Sequence, residues 1–204
     1  MAYTNISFDD LSEKLGITNR RLKLFGETQS LSYGDYLRND LQQAKTVRVV
    51  SEKARSEWLV LPLLKELIRI NADFLTVYSG ESLNVDKKAG LVGECDFILA
   101  YDTGSFNLEA PLFTVVEAKK NDIELGLPQC AAQLYAANIY NQKRGYQLSK
   151  IYGAVTTGYD WLFIQLVNNQ LFIDIDYYYL NNTGQLLGVL QSIIDSYKKE
   201  LKFQ

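Results

Sequence analysis

The chain has 204 residues, 47% hydrophobic and 22% charged, which is ordinary for one globular domain with a proper core. Its 21 basic and 24 acidic residues leave a net charge of −3, which argues against a broad phosphate-binding surface but allows a local basic groove. Histidine is absent. That removes Ser-His-Asp and Cys-His nucleophile systems and His-ligated zinc, so acid–base or metal chemistry must use Asp, Glu, Lys, Tyr or water.

No run of about 18 apolar residues occurs, so no membrane span is expected. The opening MAYTNISFDD has neither a basic nor an apolar leader region, and no secretory signal is expected. Cys95 and Cys130 both sit in apolar segments. They read as buried free thiols in a reducing compartment, and the expected location is cytoplasmic. No GxGxxG or GxxxxGK[ST] pattern signals a nucleotide-phosphate cradle.

In chain order, residues 8–15 read as a short helix, with Asp9, Asp10 and Glu13 favouring its N-terminal end. Residues 18–33 are mixed and turn-rich. A second helix is expected at 33–45, with Tyr36, Leu37 and Leu41 on one side. These form an N-terminal helical extension over residues 1–50, ahead of a core at 51–204. Ser51 can cap the strongest helix, whose Leu59, Leu61, Leu63, Leu64, Leu67 and Ile68 give a broad apolar face. Pro62 lies inside that pattern and should kink or divide it.

Residues 74–78 form a short strand candidate, followed by a loop or irregular hairpin to residue 93. Two strands are expected at 96–101 and 112–118, joined by a turn-rich hairpin. Pro128 suits the first turn of a helix at 129–141. Its Cys130, Ala131, Ala132, Ala136 and Ala137 allow close approach to a sheet. Strands at 150–157, 160–167 and 171–179 then form an antiparallel meander, and an amphipathic helix at 184–201 follows. The expected fold class is α/β: a mixed central β-sheet flanked by helices, its first half antiparallel.

The stretch from Glu94 to Lys120 carries charge where core is expected. Asp96 starts one strand, and Glu117 and Lys119 end the next. Strand side chains alternate faces, so Glu117 and Lys119 share one face, as do Glu94 and Asp96 on the neighbouring strand. Paired strands lie about 4.8 Å apart, which lets Asp96 and Glu117 approach one ion. Such oxygen donors suit Mg²⁺ or Mn²⁺. Lys119 could orient or deprotonate a water, or stabilise charge developing on a phosphorane. The reaction class that fits is metal-assisted phosphodiester hydrolysis. The competing reading is a solvated strand edge with ordinary turn-flanking acids.

The order of motifs resembles the PD-(D/E)XK nuclease superfamily, the restriction-endonuclease-like fold. The nearest likeness is to the N-terminal nuclease domain of type I restriction enzyme cleavage subunits and their stand-alone relatives. Five features carry it: Glu52 and Arg55 before LVLPLL at 59–64, Asp96 in GECDFIL, Glu117 to Lys120 after a hydrophobic strand, QCAAQLYAA at 129–137, and YGAVTTGYDW at 152–161. Two departures stand out. Cys95 replaces the proline before the motif aspartate, and Gln133, not tyrosine, follows Gln129 by four residues.

The resemblance implies a single restriction-endonuclease-like domain that cleaves DNA with Mg²⁺ or Mn²⁺. Asp96, Glu117 and Glu52 would hold the metal, Lys119 would be the catalytic lysine, and Gln129 would support the site. Gln133 is the other candidate for that glutamine. Glu57 and Glu66 rival Glu52 on the same helix but read as a solvated face. Arg55 contacts phosphate or pairs with Glu52 or Glu94. Trp161 and Tyr177–Tyr179 stack on bases or pack the sheet. Cleavage of both strands would need two copies, and a partner subunit is compatible. The alternative is a non-catalytic DNA-binding or protein-interaction module on the same fold.

Overall fold

The computed structural model describes residues 2–203. The elements are α1 (Phe8–Leu15), β1 (Thr18–Leu22), α2 (Asp35–Ala44), α3 (Glu52–Arg55), α4 (Leu61–Ile70), β2 (Leu75–Ser82) and β3 (Glu94–Tyr101). They continue as β4 (Leu112–Ala118), α5 (Leu127–Gln142), β5 (Ile151–Thr156), β6 (Asp160–Val167), β7 (Gln170–Tyr179) and α6 (Thr183–Glu200). The protein is thus α/β, built on one seven-stranded mixed sheet in the order β1-β7-β6-β5-β4-β3-β2. The β1–β7 and β4–β5 pairs are parallel, and the other four are antiparallel.

Local chemistry accounts for the element ends. The Ser7 hydroxyl accepts from the Asp10 N–H while the Asp10 carboxylate accepts from the Ser7 N–H, a reciprocal cap that starts α1. Ser51 likewise caps α3, its hydroxyl accepting from the Ala54 N–H at 3.0 Å. The expected long helix runs without a break through residues 52–70, and the proline is met by a local change of winding. Pro62 has no N–H and its ring crowds the preceding turn, and the chain widens into a π-helical turn at Ser56–Val60 before α4.

Two elements depart from expectation. Residues 18–22 form an edge strand where mixed, turn-rich chain is expected, so the first 50 residues are not purely helical. All five residues of β1 are exposed, which erases any alternation of apolar and polar residues. Backbone pairing to β7 holds it, from Thr18 opposite Gln170 to Leu22 opposite Asp174. Strand β2 also runs four residues past the expected end at Tyr78, because Ser79–Ser82 continue the ladder to β3.

The core divides between the two faces of the sheet, and a register shift in the β3–β4 pair at Leu99/Ala100 breaks the simple alternation near the start of β4. Ile98, Ala100 and Val115 pack with Leu11 of α1 and with Cys130, Ala131, Leu134 and Ala137 of α5. Phe97, Leu99, Phe113 and Val116 pack with Leu63, Leu64 and Leu67 of α4 and with Leu186, Leu190 and Ile194 of α6. Val115 and Glu117 share a face, so the α5 side of the sheet receives the glutamate.

Asn141 fixes α5 along β4. It is fully buried, and its carboxamide accepts from the Leu112 N–H and donates to the Leu112 C=O, each at 2.8 Å. Asn141→Ala strands both backbone groups away from water. It should lower stability by about 2–4 kcal/mol, read as a reduced denaturation midpoint in urea with an unchanged slope.

Candidate functional site

The site forms where β3, β4 and the first turns of α5 meet. Phe97 lies opposite Val116, and one step further along the ladder brings Asp96 beside Glu117. The Ala118 N–H donates to Asp96 Oδ2 at 2.7 Å. On the other side β4 runs parallel to β5, and the Lys119 N–H donates to the Thr156 C=O at 2.7 Å. Glu117 and Lys119 are thereby held by backbone on both flanks.

Glu117 is 3% exposed. A carboxylate so deep must be satisfied by donors. Its Oε1 accepts from Lys119 Nζ at 2.8 Å and from Gln129 Nε2 at 2.6 Å. Its Oε2 accepts from Gln133 Nε2 at 2.9 Å. Gln129 Oε1 in turn accepts from Lys119 Nζ at 3.0 Å, closing a triangle of Glu117, Lys119 and Gln129. The choice between Gln129 and Gln133 dissolves: spaced by four residues, they share one face of α5, and both hold Glu117. Gln129 alone also holds the lysine. Gln133 Oε1 is left buried with no partner.

Glu52, at the first position of α3, reaches the site from outside, its Oε1 accepting from the Lys120 N–H at 3.2 Å. Its rivals stand apart. Glu57 sits on the solvated face as expected, 3.8 Å from Lys53. Glu66 does not: it is 3% exposed, bound by the Arg69 guanidinium and by the Gly34 N–H, which ties α4 to the start of α2. Arg55 pairs with neither Glu52 nor Glu94. It donates to the Thr157 C=O at 2.7 Å and lies over the Tyr159 ring at 5.6 Å, with its Nε unpartnered. Of the aromatics, Trp161 and Tyr178 are buried in the core, whereas Tyr177 and Tyr179 are exposed.

The electrostatics are those of crowded acids. Burial first, then the nearby Asp96 charge, pushes the Glu117 carboxyl up to about 7. Burial also raises Asp96, with the Ala118 N–H and Lys119 opposing and Glu52 and Glu94 adding to the rise. Burial works against the charge on Lys119, but Glu117, Glu52 and Asp96 together outweigh it and hold its pKa above the usual value. Lys119 is therefore an ammonium at neutral pH, a donor and not a base.

Glycine makes room for that ammonium. A β-carbon on Gly126 would lie 2.6 Å from Val155 Cγ1 and 3.0 and 3.1 Å from Lys119 Cγ and Cε. The lysine stem thus lies against bare backbone at the entrance to α5. The sequence reading did not single out Gly126, and no local signal marks it, because the close approach comes from β5 and β4 together.

Among the described residues, no group of three or more His, Cys, Asp and Glu side chains gathers closely enough to hold a metal ion. The donor set still suits a hard divalent cation. Asp96 and Glu117 offer carboxylate oxygens from adjacent strands, and the Asp96 charge adds to the raised proton affinity of Glu117. Mg²⁺ needs only one or two carboxylates when water and phosphate complete its shell. Glu52 adds negative charge beside Asp96 and Lys119 at the rim.

No protein-family model matches the chain and no curated protein matches it.

Two outcomes follow from this geometry. Gly126→Ala should cost about 1–3 kcal/mol by overpacking and displace the Lys119 ammonium from Gln129, seen by denaturant titration and by the lysine side-chain NMR signals. Gly26→Ala, where an added β-carbon meets nothing within 4 Å, is the matched control. The second concerns pH. Glu117 binds its proton more tightly folded than unfolded, so its contribution to stability is full below the unfolded carboxyl range. That contribution is lost as pH rises through about 7. Metal-free protein should lose roughly 5 °C of melting temperature between pH 5 and pH 8, and millimolar Mn²⁺ should restore more at pH 8 than at pH 6. A flat profile in calorimetry would contradict the assigned burial of charge.

Proposed function

We propose that the protein is a metal-dependent nuclease of the PD-(D/E)XK type, with a restriction-endonuclease-like core, that hydrolyses DNA phosphodiester bonds using Mg²⁺ or Mn²⁺. The observation that carries this reading is the Glu117–Lys119–Gln129 triangle beside Asp96 at the adjoining strand ends. Buried acids, a charged lysine and no histidine leave phosphoryl transfer as the chemistry that uses every part.

Asp96 and Glu117 would hold the cation, which when bound supplies a Lewis acid for a phosphoryl oxygen and a more acidic water. The remaining work belongs to the chain. The Ala118 N–H fixes one oxygen of Asp96, so the other is aimed. Gln129 and Gln133 fix both oxygens of Glu117. Lys119 keeps its proton and donates to negative charge developing on the phosphate, a preorganised electrostatic role. Arg55 has no carboxylate partner, and the donors left over by its bond to the Thr157 C=O would meet the strand backbone.

One observation favours the second reading, a non-catalytic module on the same fold that binds DNA or a partner protein. Both oxygens of Glu117 already accept from N–H donors, two on Oε1 and one on Oε2, so a cation has little of this carboxylate left to bind.

Incubation with supercoiled plasmid and Mg²⁺ or Mn²⁺ decides between them. Wild type should nick or linearise the plasmid, and Glu117→Ala, Asp96→Ala and Lys119→Ala should each lower the rate by roughly 100-fold or more. Equal nicking by all three variants overturns the nuclease reading. An inactive wild type that shows no Mn²⁺ heat in titration calorimetry supports the binding module.

A further inference from the structure

We propose that the cavity between α2 and the Tyr159 turn is a nucleotide subsite, taking an aromatic base together with its phosphate. The cavity holds about 440 Å³, within the range of small-ligand sites. Leu59 and Leu180 give it an apolar floor, and Tyr33 and Tyr159 line it with aromatic rings. Arg38 and Lys45 supply cationic groups, and no carboxylate lines it. Four other surface cavities each carry at least one acid: Glu27 and Asp176, Asp160 among others, Glu109, and Glu57. In a chain of net charge −3, this hollow is therefore set apart for an anion with an apolar body.

The cationic groups are available. Lys45 has no ion pair among those formed by the described residues. Arg38 lies over the Tyr33 ring at 5.2 Å, and its carboxylate neighbour Asp35 is 4.0 Å away with a side chain 94% exposed. Such a pair compensates little charge. Gln42 and Asn181, which carry carboxamides, line the same cavity. Each offers the paired donor and acceptor that match the edge of adenine.

The walls are preformed. Gly158, at φ +85°, brings the Tyr159 turn onto Leu59, where an added β-carbon would lie 2.7 Å from Leu59 Cδ1. The Leu180 N–H donates to the Tyr159 C=O at 2.7 Å. Tyr159 also carries the Arg55 guanidinium that we assign to the strand backbone. The subsite therefore borders the proposed path of the strand. That the nucleotide belongs to a bound strand rests on the nuclease reading; the cavity's own chemistry serves a free nucleotide equally.

Titration calorimetry of 5′-AMP into the whole chain, in EDTA so that no cleavage occurs, tests the subsite. Saturable binding is expected, with Arg38→Ala and Lys45→Ala each weakening it about 10-fold. Adenosine and inorganic phosphate alone should each bind at least about 10-fold more weakly, since each lacks half of the contacts. No saturable heat with AMP, or AMP binding indifferent to both substitutions, overturns the proposal. Displacement of AMP by a 12-mer of single-stranded DNA, itself weakened by the same substitutions, marks a strand nucleotide; AMP binding untouched by the 12-mer marks a free one. Cleavage is scored separately. A chain that binds AMP here but never cuts DNA keeps the subsite and loses the nuclease reading, and one that cuts DNA but binds no AMP does the reverse.

Discussion

One buried carboxylate organises this molecule. Glu117 lies one residue before the end of the interior strand β4 at 3% exposure, where an unpartnered charge would cost several kcal/mol. Its three N–H partners come from two directions: Lys119 on the same strand, and Gln129 and Gln133 on α5. The helix is thereby locked in rotation about its axis, since both glutamines must face the sheet at once. At the far end of the same helix, Asn141 grips the backbone of Leu112 at the start of β4. Polar bonds at both ends set the helix along the strand, and the small residues between them let the two approach closely.

The same carboxylate sets the electrostatic character of the site. Asp96 and Glu117 stand side by side, and Lys119 is one cation against both, with Glu52 adding further negative charge at the rim. A site in this state is short of positive charge. Burial first, and that shortage after it, raises the carboxyl proton affinities, and the surrounding acids keep the lysine protonated. A divalent cation or a proton relieves it, and no other group within the cluster can.

Much of the strand and helix order was legible in the sequence. Short apolar runs mark β3 and β4, the meander β5–β7 has its turns spelled out, and Pro62 and Pro128 fall near the starts of α4 and α5. The charged ends of β3 and β4 were equally visible, because Asp96, Glu117 and Lys119 interrupt apolar runs and a charge in such a run demands a reason. Strand β1 was not visible, because Thr18–Leu22 are all exposed and only pairing with β7, some 150 residues away in sequence, makes them a strand. Glu66 looked like a surface residue because its local partner Arg69 suits a solvated face, and nothing nearby in sequence reveals that Gly34 closes over it.

What the sequence by itself determined is the chemical vocabulary: carboxylates, lysine and amides without histidine, set at the ends of two paired strands. Spacing alone governs that, because alternation along a strand and the four-residue repeat of a helix are local geometry. Tertiary structure decided the grammar. It chose both glutamines over either one, placed Gly126 beneath the lysine stem, and turned Arg55 toward Thr157 and Tyr159 instead of an acid. It also gathered Arg38 and Lys45 into a cavity free of carboxylates. Each of these depends on contacts between segments far apart in the chain, where burial and crowding select the partner and no local pattern records the choice.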